Sequence, residues 1–228
     1  MSKPPVWVSQ NFLTSRRIIS RLLRKTSICA DDHVVEIGPG KGHITGMLLP
    51  RCKMLSAIEL DKNLHDKLRV KFAAADNLRL YHRDFLQWPL PGGDYKVFAN
   101  IPFCHTTDIL RKLTECSNPP REAWLIMEKG AAKRFMGQPR ESLRSLAIKP
   151  KFDMRVAWHF QREDFHPMPR VDVVMLHLKR KPRCDIPAAQ WRAYQRFIAK
   201  GFAQRKASGD ILYIQWLHLF RKQMQKRK

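Results

Sequence analysis

The chain has 228 residues, 44% of them hydrophobic, with a mean hydropathy of −0.43 and no apolar run near 18 residues, which argues for a globular protein and against a transmembrane span. Its net charge of +23 is uneven, with 18 Lys/Arg against 11 Asp/Glu in residues 1–120 and 25 against 9 in residues 121–228, and such a surplus favours a polyanionic partner. Five cysteines (Cys29, Cys52, Cys104, Cys116, Cys184) form no CxxC pair, and nine histidines show no metal spacing, so the reading expects reduced thiols in a cytoplasmic protein without a disulfide framework, zinc site or other metal.

In chain order, the first 30 residues carry several Arg and no acid, a composition shared with organelle transit peptides. "SRRIISRLLRK" predicts a helix with Ile18, Ile19, Leu22 and Leu23 on one face and Arg17, Arg21, Arg24 and Lys25 on the other. "HVVEIG" predicts a strand, "HITGMLLPRC" a helix, "KMLSAIEL" a strand and "KNLHDKLRVKFA" a helix. "NLRLYHRDF" and "YKVFAN" read as further strands, then "TTDILRKLTEC" as a helix and "EAWLIME" as a strand. "RVAWHF" and "VDVVMLHLK" read as closing strands around the loop "QREDFHPMPR". Alternating strands and helices predict βαβ units and a parallel sheet, hence an α/β fold. At "KRKPRCDIP" the composition shifts, and Asp185 is expected to cap a helix with Pro187 in its first turn. That helix puts Trp191, Tyr194 and Ile198 on one side and Arg192, Arg196 and Lys200 on another. A domain boundary is expected near residue 180.

"VVEIGPGKGHIT" sits where the first of these strands turns into a helix. Gly38, Gly40 and Gly42 allow close backbone approach to a ligand, in a GxGxG spacing that departs from the dinucleotide GxGxxG. Glu59 ends the next strand, 21 residues after Gly38, where a carboxylate can accept from two ribose hydroxyls. These two signals alone leave NAD and S-adenosylmethionine both open. Asp84 ends the third strand, where it can accept from an adenine amine. With the glycines and Glu59 it favours S-adenosylmethionine, which has no phosphate to cradle.

"NIPF" follows the fourth strand, at the carboxyl edge of the sheet, where open α/β folds bind ligands. An amine on an aromatic ring is a poor nucleophile because its lone pair is delocalised. Two acceptors, the Asn100 side-chain oxygen and the Ile101 carbonyl left free by Pro102, would favour a pyramidal nitrogen and stabilise the charge that grows during methyl transfer. Phe103 would give a flipped base a stacking face. His105 and Cys104 read as structural.

With these residues assembled, the chain resembles the ribosomal RNA adenine-N6 dimethyltransferases, and within them the erythromycin-resistance methyltransferases of 23S rRNA. The resemblance rests on "SQNFLTS", "EIGPGKGHIT", "AIELD", "NIPF…TTDILRK", "MEKGAAKR" and "REDFHPMPRV", roughly residues 9–180. It implies a Rossmann-like methyltransferase domain over 1–180 and a small basic helical RNA-binding domain over 181–228, with Arg192, Arg196 and Lys200 on RNA. It also implies that Gln10, Asn11 and Leu13 line the cofactor, which argues against a cleaved leader, and that Phe165 forms a second wall for the base. The implied cofactor is S-adenosyl-L-methionine. The implied substrate is an adenine in the peptidyl-transferase region of 23S rRNA, naked or in an assembling large subunit, and the implied outcome is macrolide, lincosamide and streptogramin B resistance. A monomer with no membrane partner is expected. Two features depart from the pattern: Phe103 stands where many relatives have Tyr, and the likeness fades after "GFAQRK". The alternatives are a small-subunit rRNA adenine dimethylase and a non-catalytic nucleic-acid-binding relative of the fold.

Overall fold

Long apolar runs with few alternating polar positions are what strands buried on both faces require. In a computed structural model, which describes residues 11–204 and 208–225, these runs become a seven-stranded sheet. In chain order the elements begin with β1 (Phe12–Leu13), α1 (Arg16–Leu23), β2 (His33–Ile37), α2 (Thr45–Leu48), β3 (Met54–Glu59) and α3 (Lys62–Lys71). They continue with β4 (Leu78–His82), β5 (Lys96–Asn100), α4 (Thr106–Glu115), β6 (Glu122–Glu128), α5 (Lys129–Met136) and α6 (Leu143–Ile148). The chain closes with β7 (Phe152–His159), β8 (Phe165–His166), β9 (Val173–Arg180), α7 (Trp191–Gln204) and α8 (Tyr213–Gln225).

The sheet order is β4-β3-β2-β5-β6-β9-β7. Pairing is parallel from β4 through β6, with Val34 opposite both Leu55 and Lys96, and Asn100 opposite Ile126. Successive strands run outward from β2 on one side and resume at β5 on the other. The carboxyl ends of β2 and β5 therefore flank a topological switch point, the place where such sheets bind ligands. The glycine loop follows β2 and NIPF straddles the end of β5, so both motifs meet there.

The chain forms two compact units, one of the described residues up to Lys129 with Val156–Leu178, the other of Gly130–Arg155 with the described residues from Lys179 onward. In the first, α1 buries Ile19, Leu22 and Leu23 on Val34, Leu55, Phe98, Trp124 and Met175. Ser15 caps α1 by accepting from the Ile18 N–H, and Asp61 caps α3 from the Leu64 N–H at 2.9 Å. In the second unit, Tyr194, Ile198, Trp216 and Phe220 pack with Leu146, and the Tyr194 hydroxyl donates to the Leu146 carbonyl at 3.0 Å.

Three expectations are corrected. The C-terminal helix starts at Trp191, not behind Asp185, because the Asp185 carboxylate is taken by the Tyr213 hydroxyl and the Lys181 ammonium, both at 2.6 Å. The helix at "HITGMLLPRC" is only α2, since Pro50 turns the chain into a 3-10 turn over Leu49–Arg51. Residues 165–166, expected in a loop, form β8 and pair antiparallel with β1, Phe12 opposite His166 and Leu13 opposite Phe165. Helices α5, α6 and α8 were not anticipated. Among the described residues no helix is long and apolar enough to cross a membrane, and no group of three or more His, Cys, Asp or Glu is placed to hold a metal ion.

Candidate active site

At the switch point a cleft of about 290 Å³ is lined by residues from five segments. Asn11 and Phe12 enter from the N-terminal side, Ile37, Gly38 and Gly40 from the glycine loop, and Ile58 to Leu60 from the end of β3. Arg83 to Leu86 follow β4, while Asn100 to Phe103, His105 and Ile109 descend from β5 into α4.

The glycine loop turns because Gly38 and Gly40 hold φ of +65° and +57°, the left-handed region that side chains disfavour. At Gly40 a Cβ would also stand 2.8 Å from the Phe12 ring, whereas at Gly38 it would meet no atom within 4 Å. The loop thus offers bare backbone to an open space. Glu59, only 3% exposed, ties the loop down: one carboxylate oxygen accepts from the Gly40 N–H and the other from the Asp61 N–H, both at 2.9 Å. One Asp84 oxygen accepts from the Leu86 N–H at 2.8 Å, which shapes the turn after β4. Behind that turn Lys112 donates to the Leu86 and Trp88 carbonyls and lies 5.2 Å from the centre of the Phe85 ring. Burial holds the Lys112 ammonium below its usual pKa.

Opposite, the Asn100 side-chain nitrogen donates to the Asn11 carbonyl at 2.7 Å, and the Asn100 oxygen has no partner among the described residues. Ile101 donates its N–H to the Ile126 carbonyl and is buried. Pro102 then releases the chain from the sheet into a 3-10 turn over Phe103–His105, and Phe103 is half-buried on the wall. Beneath the loop Glu36 is 1% exposed and neither of its oxygens has a hydrogen-bond partner among the described residues. Burial pushes its carboxyl up to about 8, and the negative charge of nearby Glu59 adds to the rise.

Of the residues singled out in the sequence, Asn11, Gly38, Gly40, Glu59, Asp84 and Asn100 to Phe103 meet in this one cleft. Leu13 and Phe165 do not line it: they are 2% and 4% exposed, packed in the core beneath β1 and β8. Gln10 lies outside the described residues. Arg192, Arg196 and Lys200 are exposed on α7 in the second unit. Phe12, Leu60, Arg83 and His105 also line the cleft and were not anticipated. His105 was read as structural, yet it borders the cleft with a buried Nδ1 that has no hydrogen-bond partner among the described residues. The only sequence signal for these four is adjacency: Phe12 stands beside Asn11, Leu60 beside Glu59, Arg83 beside Asp84, and His105 two residues after Phe103.

A family model described as "Ribosomal RNA adenine dimethylase" matches residues 6–208. The chain is 35% identical over 201 residues to the rRNA adenine N-6-methyltransferase of Limosilactobacillus reuteri, covering 88% of this chain and 81% of that protein. It is 33% identical over 193 residues to the protein of the same name from Escherichia coli, covering 84% and 77%. Among solved structures, the 23S rRNA methyltransferase ErmE superposes with a TM-score of 0.85 at 24% identity, covering 92% of this chain and 98% of that one. A dimethyladenosine transferase from Plasmodium falciparum gives 0.72 at 23% identity, covering 85% and 71%. At these identities the solved structures speak for the fold: a Rossmann-like methyltransferase sheet with a C-terminal helical extension.

Proposed function

The chain belongs to the ribosomal RNA adenine dimethylase family, and we propose that this S-adenosylmethionine-dependent methyltransferase modifies the N6 amine of an adenine in 23S rRNA, conferring macrolide, lincosamide and streptogramin B resistance. The hydrogen bond from Asn100 to Asn11 carries the chemical part of this reading. The resistance-type stretches "MEKGAAKR" and "FHPMPRV" support the choice of 23S rRNA.

The cleft suits the cofactor. Bare backbone at Gly38, with no atom within 4 Å of where a side chain would start, leaves room for an amino-acid moiety; in this reading buried Glu59 accepts from ribose hydroxyls and Asp84 from an adenine amine. When bound, S-adenosylmethionine supplies a methyl carbon on a cationic sulfur. In our reading Asn11 closes the cofactor side. Leu13 and Phe165 support that segment from the core and do not touch a ligand. The Asn100 oxygen and the Ile101 carbonyl accept the two amine hydrogens of the adenine, which frees the lone pair and stabilises the positive charge growing on nitrogen. Phe103 stacks on the base, and Pro102 fixes the angle between acceptor and ring. No side-chain nucleophile is needed, because bound S-adenosylmethionine would supply an already activated methyl group to the adenine nitrogen, and the proton lost from that nitrogen would pass to solvent.

We assign RNA binding to Arg192, Arg196 and Lys200, and the division of labour to a methyltransferase domain over 1–180 and a basic RNA-binding domain over 181–228. The test is expression in a sensitive bacterium. Resistance to erythromycin and clindamycin together, with unchanged chloramphenicol sensitivity and loss of resistance in Asn100→Ala, is the expected result. No resistance, with methylation of 16S rRNA by the purified protein, would favour the small-subunit alternative.

A further inference from the structure

Helix α1 is the most one-sidedly basic element next to the cleft. Arg16, Arg17, Arg21, Arg24 and the following Lys25 are all exposed, and the helix holds no acidic residue. Among the described residues the guanidinium groups of the four arginines have no ion pair or hydrogen bond. Lys25 lies 5.4 Å from the centre of the half-buried Trp158 ring, so an aromatic face borders the charged strip. Arg17, Arg21 and Arg24 follow at i, i+4 and i+7, a stripe spanning about 10 Å of helix axis. Four like charges within three turns repel one another unless a polyanion offsets them.

Two observations say what that polyanion is. The apolar face of α1 is already used: Ile19, Leu22 and Leu23 are 0%, 0% and 3% exposed in the core, so the helix has nothing to insert into a lipid surface. The helix also starts beside the site. Phe12 lines the cleft, and Arg16 is four residues further along, within about 14 Å even if the chain were fully extended. A base drawn into the cleft brings its flanking phosphates to this side.

We propose that the solvent face of α1 is a phosphate-binding ramp for the RNA strand that carries the target adenine. This rests on the functional reading above, and it adds a surface on the first compact unit to the one assigned to α7. The stripe holds the strand flanking the extruded base while Asn100 and Phe103 engage the base itself.

The test compares the full-length wild type with R17Q/R21Q/R24Q and R17K/R21K/R24K, measuring filter binding of a 23S rRNA transcript over a salt series. Each single-strand phosphate contact contributes about 0.7 to the slope of log affinity against log salt, so the glutamine variant should lose about 2 from that slope. The lysine variant should keep it, and all three proteins should bind S-adenosylmethionine alike, which shows that the fold is intact. A glutamine variant with the wild-type slope, an equal loss in the lysine variant, or wild-type binding to anionic phosphatidylserine vesicles tighter than to RNA overturns the proposal. A wild type that binds cofactor but no RNA overturns the functional reading as well, and is told apart because the failure is then in the unmutated protein.

Discussion

The side-chain amide nitrogen of Asn100 donates to the backbone carbonyl of Asn11, 89 residues away, at 2.7 Å. An amide has one donor end and one acceptor end, so fixing the nitrogen also fixes the oxygen. On the proposed reading the oxygen is thereby held as an acceptor that needs no reorientation when a base arrives. Preorganised groups of this kind stabilise a transition state without a reorganisation cost.

Asn100→Ala should therefore lower single-turnover methyl transfer by roughly 10²–10³-fold, the typical effect of removing one preorganised charge-stabilising group. Cofactor affinity by calorimetry should stay within a few fold. Asn100→Asp should fail as well, because a carboxylate oxygen would face the Asn11 carbonyl in place of the amide donor. Near-normal transfer rates in Asn100→Ala would remove the residue from the reaction.

On the proposed reading, the ring of Phe103, not a hydroxyl, is what the base needs. Phe103→Tyr should retain activity, whereas Phe103→Ala should lose roughly 1–3 kcal/mol of base stacking. The readout is the KM for RNA in steady-state assays. Equal behaviour of the Tyr and Ala variants would contradict the stacking role.

Glu36 sets a pH dependence of stability that is separable from catalysis. With its carboxyl at about 8 in the folded chain against 4.5 for the ordinary group, the folded state keeps a proton that the unfolded state releases. The stabilisation is complete below the unfolded value and is lost as pH rises through the folded one, at about 1.4 kcal/mol per pH unit in between. Asp32 and Glu122 act at the acid end. Burial works against their ionisation, but hydrogen bonds with Lys96 and Cys29 in the first case, and Ser27 and His177 in the second, outweigh it and hold both pKa values low. Thermal melts of wild type and Glu36→Gln should therefore diverge progressively between pH 4.5 and about pH 8, with the variant the flatter and relatively more stable at the alkaline end. Parallel curves would contradict the buried, protonated Glu36.

The parts of the site legible in the sequence share one property: Gly38, Glu59, Asp84 and Asn100 each lie at or just beyond the carboxyl end of a parallel strand. Hydrophobic runs mark those strands, so the turn that follows each could be located from the sequence. Phe12 and His105 reach the cleft only through tertiary placement, and no local pattern announces that. Only the family resemblance pointed to Phe165 as a wall for the base, and pairing of β8 with β1 turns it into the core beside Leu13. The second unit was the least legible. Its buried Glu141 accepts from the Ser145 hydroxyl, the Lys149 ammonium and the Tyr213 N–H, the last 72 residues away, and such a hub has no sequence period. Asp185 carried a proper capping signal, yet Lys181 and Tyr213 outcompete the helix for its carboxylate.

The most direct measurement of the central claim is transfer of a labelled methyl group from S-adenosylmethionine to purified 23S and 16S rRNA, with the modified nucleotide mapped. The account predicts label on the N6 of a single adenine in 23S rRNA, absent with Asn100→Ala. Label on 16S rRNA, on another atom of the base, or undiminished label from the Asn100→Ala protein would contradict it.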